Sequence, residues 1–432
     1  MPWEVITIII IGLVFLFLLS GTSVAVSLAL AGVIAAFVFV GKMGALGYVS
    51  WHICTSFILV AIPLFIFMGQ LLLHSKLSER LYEGSAALLG RFPGGLLHAN
   101  IASCAIFAAI SGSSVATAAT IGTVAIPEME KRGYESKIVL GSLAAGGTLG
   151  ILIPPSIDFI IYGAICGVSV GKLFIAGVFP GIMLASLFMG YIIARVITRP
   201  QLAPTFEKIP LKPRVLRIIS MWPIGIIMFV VLGGIYLGVT TPTEAAAVGA
   251  VMALVFTLAY RELNWQVLKE SLRGTIKITS MIMFLIVGAR LLSATLSMLR
   301  VPDNTIVWVA SLNVSPLVIM LFIYLFYTIL GCLMDGISII VVTLPIIFPI
   351  IVALGFDPIW FGVAVVILLE MGMITPPVGL NVYVIHGLRP DRPMSEVFIG
   401  IIPFFLMMVV CLAIITAVPE IATWLPATMR GG

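Results

Sequence analysis

Gly150-Ile151-Leu152-Ile153-Pro154-Pro155 and Gly372-Met373-Ile374-Thr375-Pro376-Pro377 are one motif written twice, once in each half of the chain. The offset between them also carries Pro127 onto Pro349, Gly133 onto Gly355 and Tyr134 onto Phe356. Nearer the N-terminus it shortens slightly but persists, matching Gly69 with Gly288, Gly21 with Gly238 and Gly32 with Gly249. Proline lacks the amide donor and clashes with the preceding turn, so Gly and Pro-Pro at matched positions break one helix in each half. Matched broken helices in two halves of a membrane chain predict a secondary transporter with its binding site between the repeats.

The composition supplies the membrane. The chain is 61% hydrophobic and 9% charged, with a mean hydropathy of +1.23. Apolar runs near ~20 residues recur from end to end, and no hydrophilic stretch is long enough for a soluble domain. The first run, 5–19, lacks a basic flank and a small-residue cleavage site, and reads as the first span. Cys54, Cys104, Cys166, Cys332 and Cys411 lie in apolar runs without CxxC spacing, which predicts buried free thiols. The four histidines show no HExxH spacing and no GxxxxGK[ST] occurs, so neither a histidine metal site nor ATP hydrolysis is expected. Loop positions account for the net charge of +5 better than nucleic-acid binding does.

Apolar length places ten crossings, at 4–20, 22–41, 50–75, 136–163, 172–197, 217–238, 241–260, 276–299, 358–388 and 395–418. Two segments remain, 95–131 and 316–352. Each has two arms of about 16 residues, or ~24 Å of helix, short of the ~30 Å hydrocarbon core. Their centres, Ser111-Gly112-Ser113-Ser114 and Met334-Asp335-Gly336, read as tips of re-entrant hairpins. With this count, eighteen of the 23 Lys and Arg fall on one face, among them Lys76, Lys208, Lys212, Arg214 and Arg389. Lys42, Lys172, Arg300 and Arg430 fall on the other, and only Arg290 stays inside a span. The positive-inside rule then puts both termini in the periplasm.

Five crossings per half is an odd number, so the second repeat is inverted. The expected organisation is a first repeat, 1–199, with scaffold spans 4–75, hairpin 95–131, broken helix 136–163 and last span 172–197. A cytoplasmic linker, 200–216, leads to a second repeat, 217–418. That repeat has scaffold spans 217–299, hairpin 316–352, broken helix 358–388 and last span 395–418; a periplasmic tail, 419–432, follows. Amphipathic pieces at 77–91 and 264–274 are expected to lie along the interface as arms. The fold class is an all-α polytopic membrane protein with two re-entrant hairpins and inverted repeats.

Where a hairpin tip meets a helix break, unpaired carbonyls, helix ends and small hydroxyls converge, suiting a hard cation and a carboxylate. The first such set is Ser111, Gly112, Ser113 and Ser114 facing Gly150, Ile153 and Pro155. The second is Gly331, Asp335 and Gly336 facing Gly372, Thr375 and Val378, with Asn381 one turn on. Ser111, Ser113, Ser114, Asp335, Gly336 and Asn381 are the candidate substrate ligands. Charged groups at membrane depth are costly and are functional candidates by default. Asp335 suits a site ligand and a helix N-cap equally; Asp158 can stabilise a half-helix N-terminus, and Glu370 directly precedes the second break. Glu244 suits a first helical turn or a gate, and Arg290 is expected to snorkel or to pair within the scaffold.

Together with Thr241-Pro242-Thr243-Glu244-Ala245-Ala246-Ala247, Gly379 and Asn381, these motifs in this order resemble the large membrane subunit of tripartite ATP-independent periplasmic (TRAP) transporters, within the ion-transporter superfamily of elevator carriers. The resemblance covers nearly the whole chain. It implies a non-enzymatic, sodium-driven (Na+) importer of small organic anions in the bacterial inner membrane. A small four-helix membrane Q subunit and a soluble periplasmic binding protein would assist it. Because the chain opens at its first repeat, the Q subunit is expected to be a separate chain. Two readings compete. A passive channel also uses broken helices. An intramembrane serine hydrolase would use Ser113 with His98, but these lie about 22 Å apart along the arm.

Overall fold

The computed structural model describes residues 2–41, 43–204 and 210–429. Lys42, Lys208 and Arg430 of the charge map, and the middle of the 200–216 linker, lie outside the described residues. Within them the chain is helical and without strands. Seven helices are long and apolar enough to cross a membrane, and an eighth candidate is the pair Leu211–Ser220 and Trp222–Tyr236, bent by 40°. The chain is an all-α, multi-pass membrane protein. Both incoming hairpin arms, Leu96–Ser111 and Pro316–Gly331, are apolar helices of 16 residues, too short for an upright crossing. The outgoing arms, Ser114–Lys131 and Gly336–Ala353, have 18 each, and the second is apolar enough to count among the seven.

Some expected boundaries move. The piece at 264–274 is no separate arm: Trp265–Met298 runs unbroken for 34 residues, about 51 Å, and overshoots a ~30 Å core. Asn264 starts it by accepting the Val267 amide at 2.9 Å, and nothing within it breaks the helix. The other piece begins as expected, as Leu77–Leu89. The tail at 419–432 contains a helix, Glu420–Ala427, packed on Val170–Thr198. All five cysteines are free, but Cys54 is exposed and Cys166 only half-buried, because both sit at helix ends.

The duplicated glycines are duplicated in geometry. Gly21 and Gly238 have φ of +84° and +71°, and Gly133 and Gly355 have +78° and +82°, a region that side chains disfavour. The halves pack by exchange. Val24–Ala35 lies along Trp265–Met298, and its counterpart Pro242–Ala259 lies along Ala61–His74. Ser136–Gly147 packs on Met394–Ala417, while Pro358–Met373 packs on Val170–Thr198. Ile157–Cys166 packs on Gly336–Ala353, and Leu380–Leu388 on Ser114–Lys131. Every one of these pairs joins one half to the other.

In lipid, burying apolar surface between helices yields no hydrophobic gain, so close backbone approach has to supply the attraction. Glycine makes it possible. A Cβ on Gly288 would overlap the Ala25 carbonyl, and one on Gly32 would stand 2.7 Å from the Leu292 amide. Gly141 and Gly400 are equally tight, and a Cβ on Gly400 would overlap the Lys137 carbonyl.

Segments that the charge map assigns to one face meet each other. Glu262 pairs with Arg80 at 3.0 Å and accepts the Lys76 amide at 2.9 Å, and Arg214 donates to the Ala87 carbonyl at 2.8 Å. Arg389, just past the second broken helix, pairs with Glu130 of the first hairpin and with Asp391. Its hydrogen bonds hold the exposed Asp391 carboxyl down to about 2.

Candidate functional site

Each hairpin tip is built by a capped helix start. Gly112 turns the first tip with φ of +59°, and Ser113 Oγ then accepts the Ala116 amide at 3.3 Å. Ser111 Oγ bonds Thr117 Oγ1 at 2.8 Å and so closes the turn. At the second tip Asp335, the repeat counterpart of Ser113, takes the same position. It accepts the Ser338 amide at 3.0 Å and the Ser338 hydroxyl at 2.6 Å. Of the two uses open to Asp335, the cap is therefore made, and the residue remains exposed.

Each tip rests on the break of its own half. Pro154-Pro155 and Pro376-Pro377 are both cis, and the chain leaves helical geometry at Ile153 and after Ile374. A Cβ on Gly150 would stand 2.9 Å from Ser114 N and Cα, and one on Gly372 would overlap Gly331 Cα. Gly112 faces the Pro155 carbonyl, 3.6 Å from its Cβ position. Only glycine allows such backbone contact. The structure thus brings Gly112–Ser114 to Gly150 and Pro155, and Gly331 to Gly372, while Ser111 lies against Gly69.

The halves then cross. Ser114 Oγ donates to Glu370 Oε1, which comes from the helix before the second break. Gly336, the repeat counterpart of Ser114, faces Asp158 of the first half, whose Oδ2 is 3.0 Å from its Cβ position. Equivalent tip residues therefore each meet a carboxylate of the opposite repeat, and both carboxylates are 1% exposed. Asn381 is a correction. It belongs to the first tip, beside Ser114 and Gly147, where Nδ2 donates to the Ala144 carbonyl at 3.4 Å. The reason is the exchange of half-helices, which seats Leu380–Leu388 on the first hairpin.

Other expected members stand apart. Ile153 fills the notch of Gly181, whose Cβ position is 2.6 Å from Ile153 Cγ1. Thr375 Oγ1 donates to the Met371 carbonyl at 2.6 Å, and Val378 is half-buried beside it. Pro376 and Pro377 are exposed, whereas Pro154 and Pro155 are buried, so the two breaks are not in equivalent surroundings. Glu244 makes a capping box: Thr241 Oγ1 accepts the Glu244 amide at 3.3 Å and Glu244 Oε2 accepts the Thr241 amide at 2.7 Å. Arg290 does not pair within the scaffold but donates to the Ala164 carbonyl of the first broken helix. His98 Nε2 is bound to the Pro93 carbonyl at 2.8 Å, and Ser113 Oγ is held in its cap. These two do not form a serine–base pair.

Sequence reasoning passed over Thr117 and Ser156, whose only signal was a hydroxyl next to a tip or a Pro-Pro. Among the described residues, four buried side-chain oxygens at these tips and breaks have no hydrogen-bond partner: Ser156 Oγ, Asp158 Oδ2, Glu370 Oε2 and Asn381 Oδ1. Buried oxygens left unpaired are costly unless a ligand satisfies them. The set is all-oxygen, which suits a hard cation.

A polytopic helical protein with paired hairpins set on broken helices has an architecture used by membrane transport proteins. The chain belongs to the family of the DctM component of tripartite ATP-independent periplasmic transporters, whose sequence profile matches residues 11–421. It is 39% identical to the C4-dicarboxylate TRAP transporter large permease protein DctM of Pseudomonas aeruginosa, covering 85% of this chain and 86% of that one. It is 30% identical to the sialic acid TRAP transporter large permease protein SiaM of Vibrio cholerae, covering 87% and 88%. Among solved structures, the Alcanivorax borkumensis YdaH transporter shares the fold at a TM-score of 0.63 and 14% identity, covering 90% of this chain and 91% of that one.

Proposed function

We propose that this chain is the large subunit of a sodium-driven importer of a small organic anion carrying a carboxylate, working as an elevator. The observation that carries the reading is the crossed arrangement of tips, breaks and buried carboxylates. It ties 95–163 and 316–388 into one block, with unpaired oxygens inside it for the cation. Amide and hydroxyl groups at the tips, near Ser111–Ser114 and Asp335–Gly336, draw the substrate carboxylate. The glycine contacts Gly141–Gly400 and Gly177–Leu152 also seat the last spans on the broken helices, so these spans travel with the block. Helices Val24–Ala35, Ala61–His74, Pro242–Ala259 and the long Trp265–Met298 form the fixed scaffold. Inverted repeats allow the outward and inward states to be near mirror images. A Q subunit braces the scaffold and a periplasmic binding protein delivers the anion at the outer face of the inner membrane.

Reconstitution with those two partners tests this. Labelled C4-dicarboxylates and sialic acid are offered under an imposed sodium gradient, and uptake that runs equally on a proton gradient without sodium would falsify the coupling. In the same vesicles, Asp158→Asn, which removes a carboxylate with an unpaired buried oxygen, is expected to raise the sodium concentration for half-maximal uptake at least tenfold, the cost of about 1.4 kcal/mol of lost ligation. Cross-links between block and scaffold should trap two inactive states displaced along the membrane normal. Trapping by hairpin-tip links alone would mean local gating instead.

The contacts among Arg80, Glu262, Arg214, Glu130 and Arg389 put their segments on a common face, and the positive-inside rule makes that face cytoplasmic and the termini periplasmic. A cysteine at Lys212 is expected to stay unreactive toward an impermeant thiol reagent in cells with a permeabilised outer membrane. Labelling there would invert the map.

A further inference from the structure

We propose that the cavity around Arg290 is a binding site for a carboxylate at the seam between scaffold and block, with the identity of the block resting on the carrier reading above. The cavity has a volume of about 350 Å³, and its walls include Tyr48, His52, Ser56, Ala164, Ile286 and Arg290. It is assembled from three parts of the chain: the end of Gly44–Cys54 with the turn after it, the last turn of Ile157–Cys166, and the middle of Trp265–Met298. The charge map brings all three to the outer face, the side from which an imported anion arrives.

Arg290 is the one Lys or Arg placed inside a span, and a charge at that depth is retained only at a cost. No carboxylate among the described residues lies within ion-pair distance of it, and none lines the cavity. Its guanidinium donates to the Ala164 carbonyl, which uses one of five N–H donors. A cation near the end of the half-helix is favourable for its dipole, and that accounts for the first donor. It does not account for the rest of the fork, nor for the polar wall opposite. The Tyr48, His52 and Ser56 side chains make no hydrogen bond among the described residues, and the remaining wall is apolar. A forked cation, a hydroxyl, a phenol and an imidazole around an acid-free apolar cavity match a planar anion, which takes two parallel N–H bonds from an arginine. The volume lies in the range that small-molecule sites use.

Charge-selective labelling tests the site without transport. The purified chain in nanodiscs carries Ser56→Cys as reporter, with Cys54 and Cys166 changed to serine. Rates are compared for an anionic sulfonate and a cationic trimethylammonium methanethiosulfonate, each with and without succinate, acetate or N-acetylneuraminate at millimolar levels. With Arg290 in place the anionic reagent is favoured, and at least one of the three acids slows it. Arg290→Gln keeps a donor for Ala164, and is expected to lower the anionic-to-cationic rate ratio about tenfold and to abolish protection. Arg290→Lys separates charge from fork: the ratio stays and protection weakens. If no acid protects, or if Arg290→Gln leaves both ratio and protection unchanged in protein that elutes as the native form, the site does not bind carboxylates. Neither outcome touches the uptake assay, so the carrier reading stands or falls separately.

Discussion

Glu370→Gln is expected to keep the fold and to bring uptake down by more than tenfold, whereas Glu370→Ala is expected to lose both uptake and stability. Glu370 is 1% exposed, accepts the Ser114 hydroxyl across the repeat boundary, and has a second oxygen with no partner. Glutamine preserves the shape and an acceptor for Ser114, so hairpin and break stay joined. What it removes is the negative charge that a cation at the first tip would use. Alanine also strands the Ser114 hydroxyl in a dry interface, at a cost of about 1–3 kcal/mol. Thermal unfolding in detergent, read beside uptake in proteoliposomes, separates the two effects. Full uptake by the Gln variant would show that the carboxylate only braces the hairpin.

The second large effect is expected from Gly372→Ala. Its new methyl would overlap Gly331 Cα and the Gly331 carbonyl carbon, both main-chain atoms that no side-chain rotation can clear. The second tip must lift off its break, and overpacking of this kind costs about 1–3 kcal/mol. We expect a lowered melting temperature and uptake near background. Gly190→Ala is the control, because nothing lies within 4 Å of its Cβ position. Equal behaviour of the two variants would mean that the tip–break contact is not needed.

Much of this was legible in the sequence because backbone constraints recur as residues. Gly150 and Gly372 announced the breaks, and Gly133 with Gly355 announced matched turns. The short incoming arms read from the sequence as hairpin arms are helices of 16 residues. Asp335 was legible only as a choice between two roles, since a cap and a ligand demand the same short carboxylate. The crossed contacts were not legible. Asn381 sits one turn after the second break and so looked like a neighbour of Asp335. The exchange of half-helices places it beside Ser114, and such exchange follows from three-dimensional packing between segments of opposite repeats. Asp158 and Glu370 could be flagged as costly in a membrane, but their targets, Gly336 and Ser114, lie in the opposite repeat. Arg290 escaped for a similar reason: its partner is a main-chain carbonyl, which leaves no mark in a sequence.

The exchange also bears on biogenesis. A ribosome delivers 1–199 first, yet that half contains no lasting neighbour for several of its own surfaces. Ser136–Gly147 waits for Met394–Ala417, Val24–Ala35 for Trp265–Met298, and Ser114 for Glu370. Until they arrive, glycine-lined faces such as those of Gly32 and Gly141 meet lipid in place of backbone. A nascent chain arrested after the first repeat is thus an open half-lattice of helices, and membrane proteases and insertion chaperones would meet it in that form. Closure of the first half therefore waits on the helices of the second.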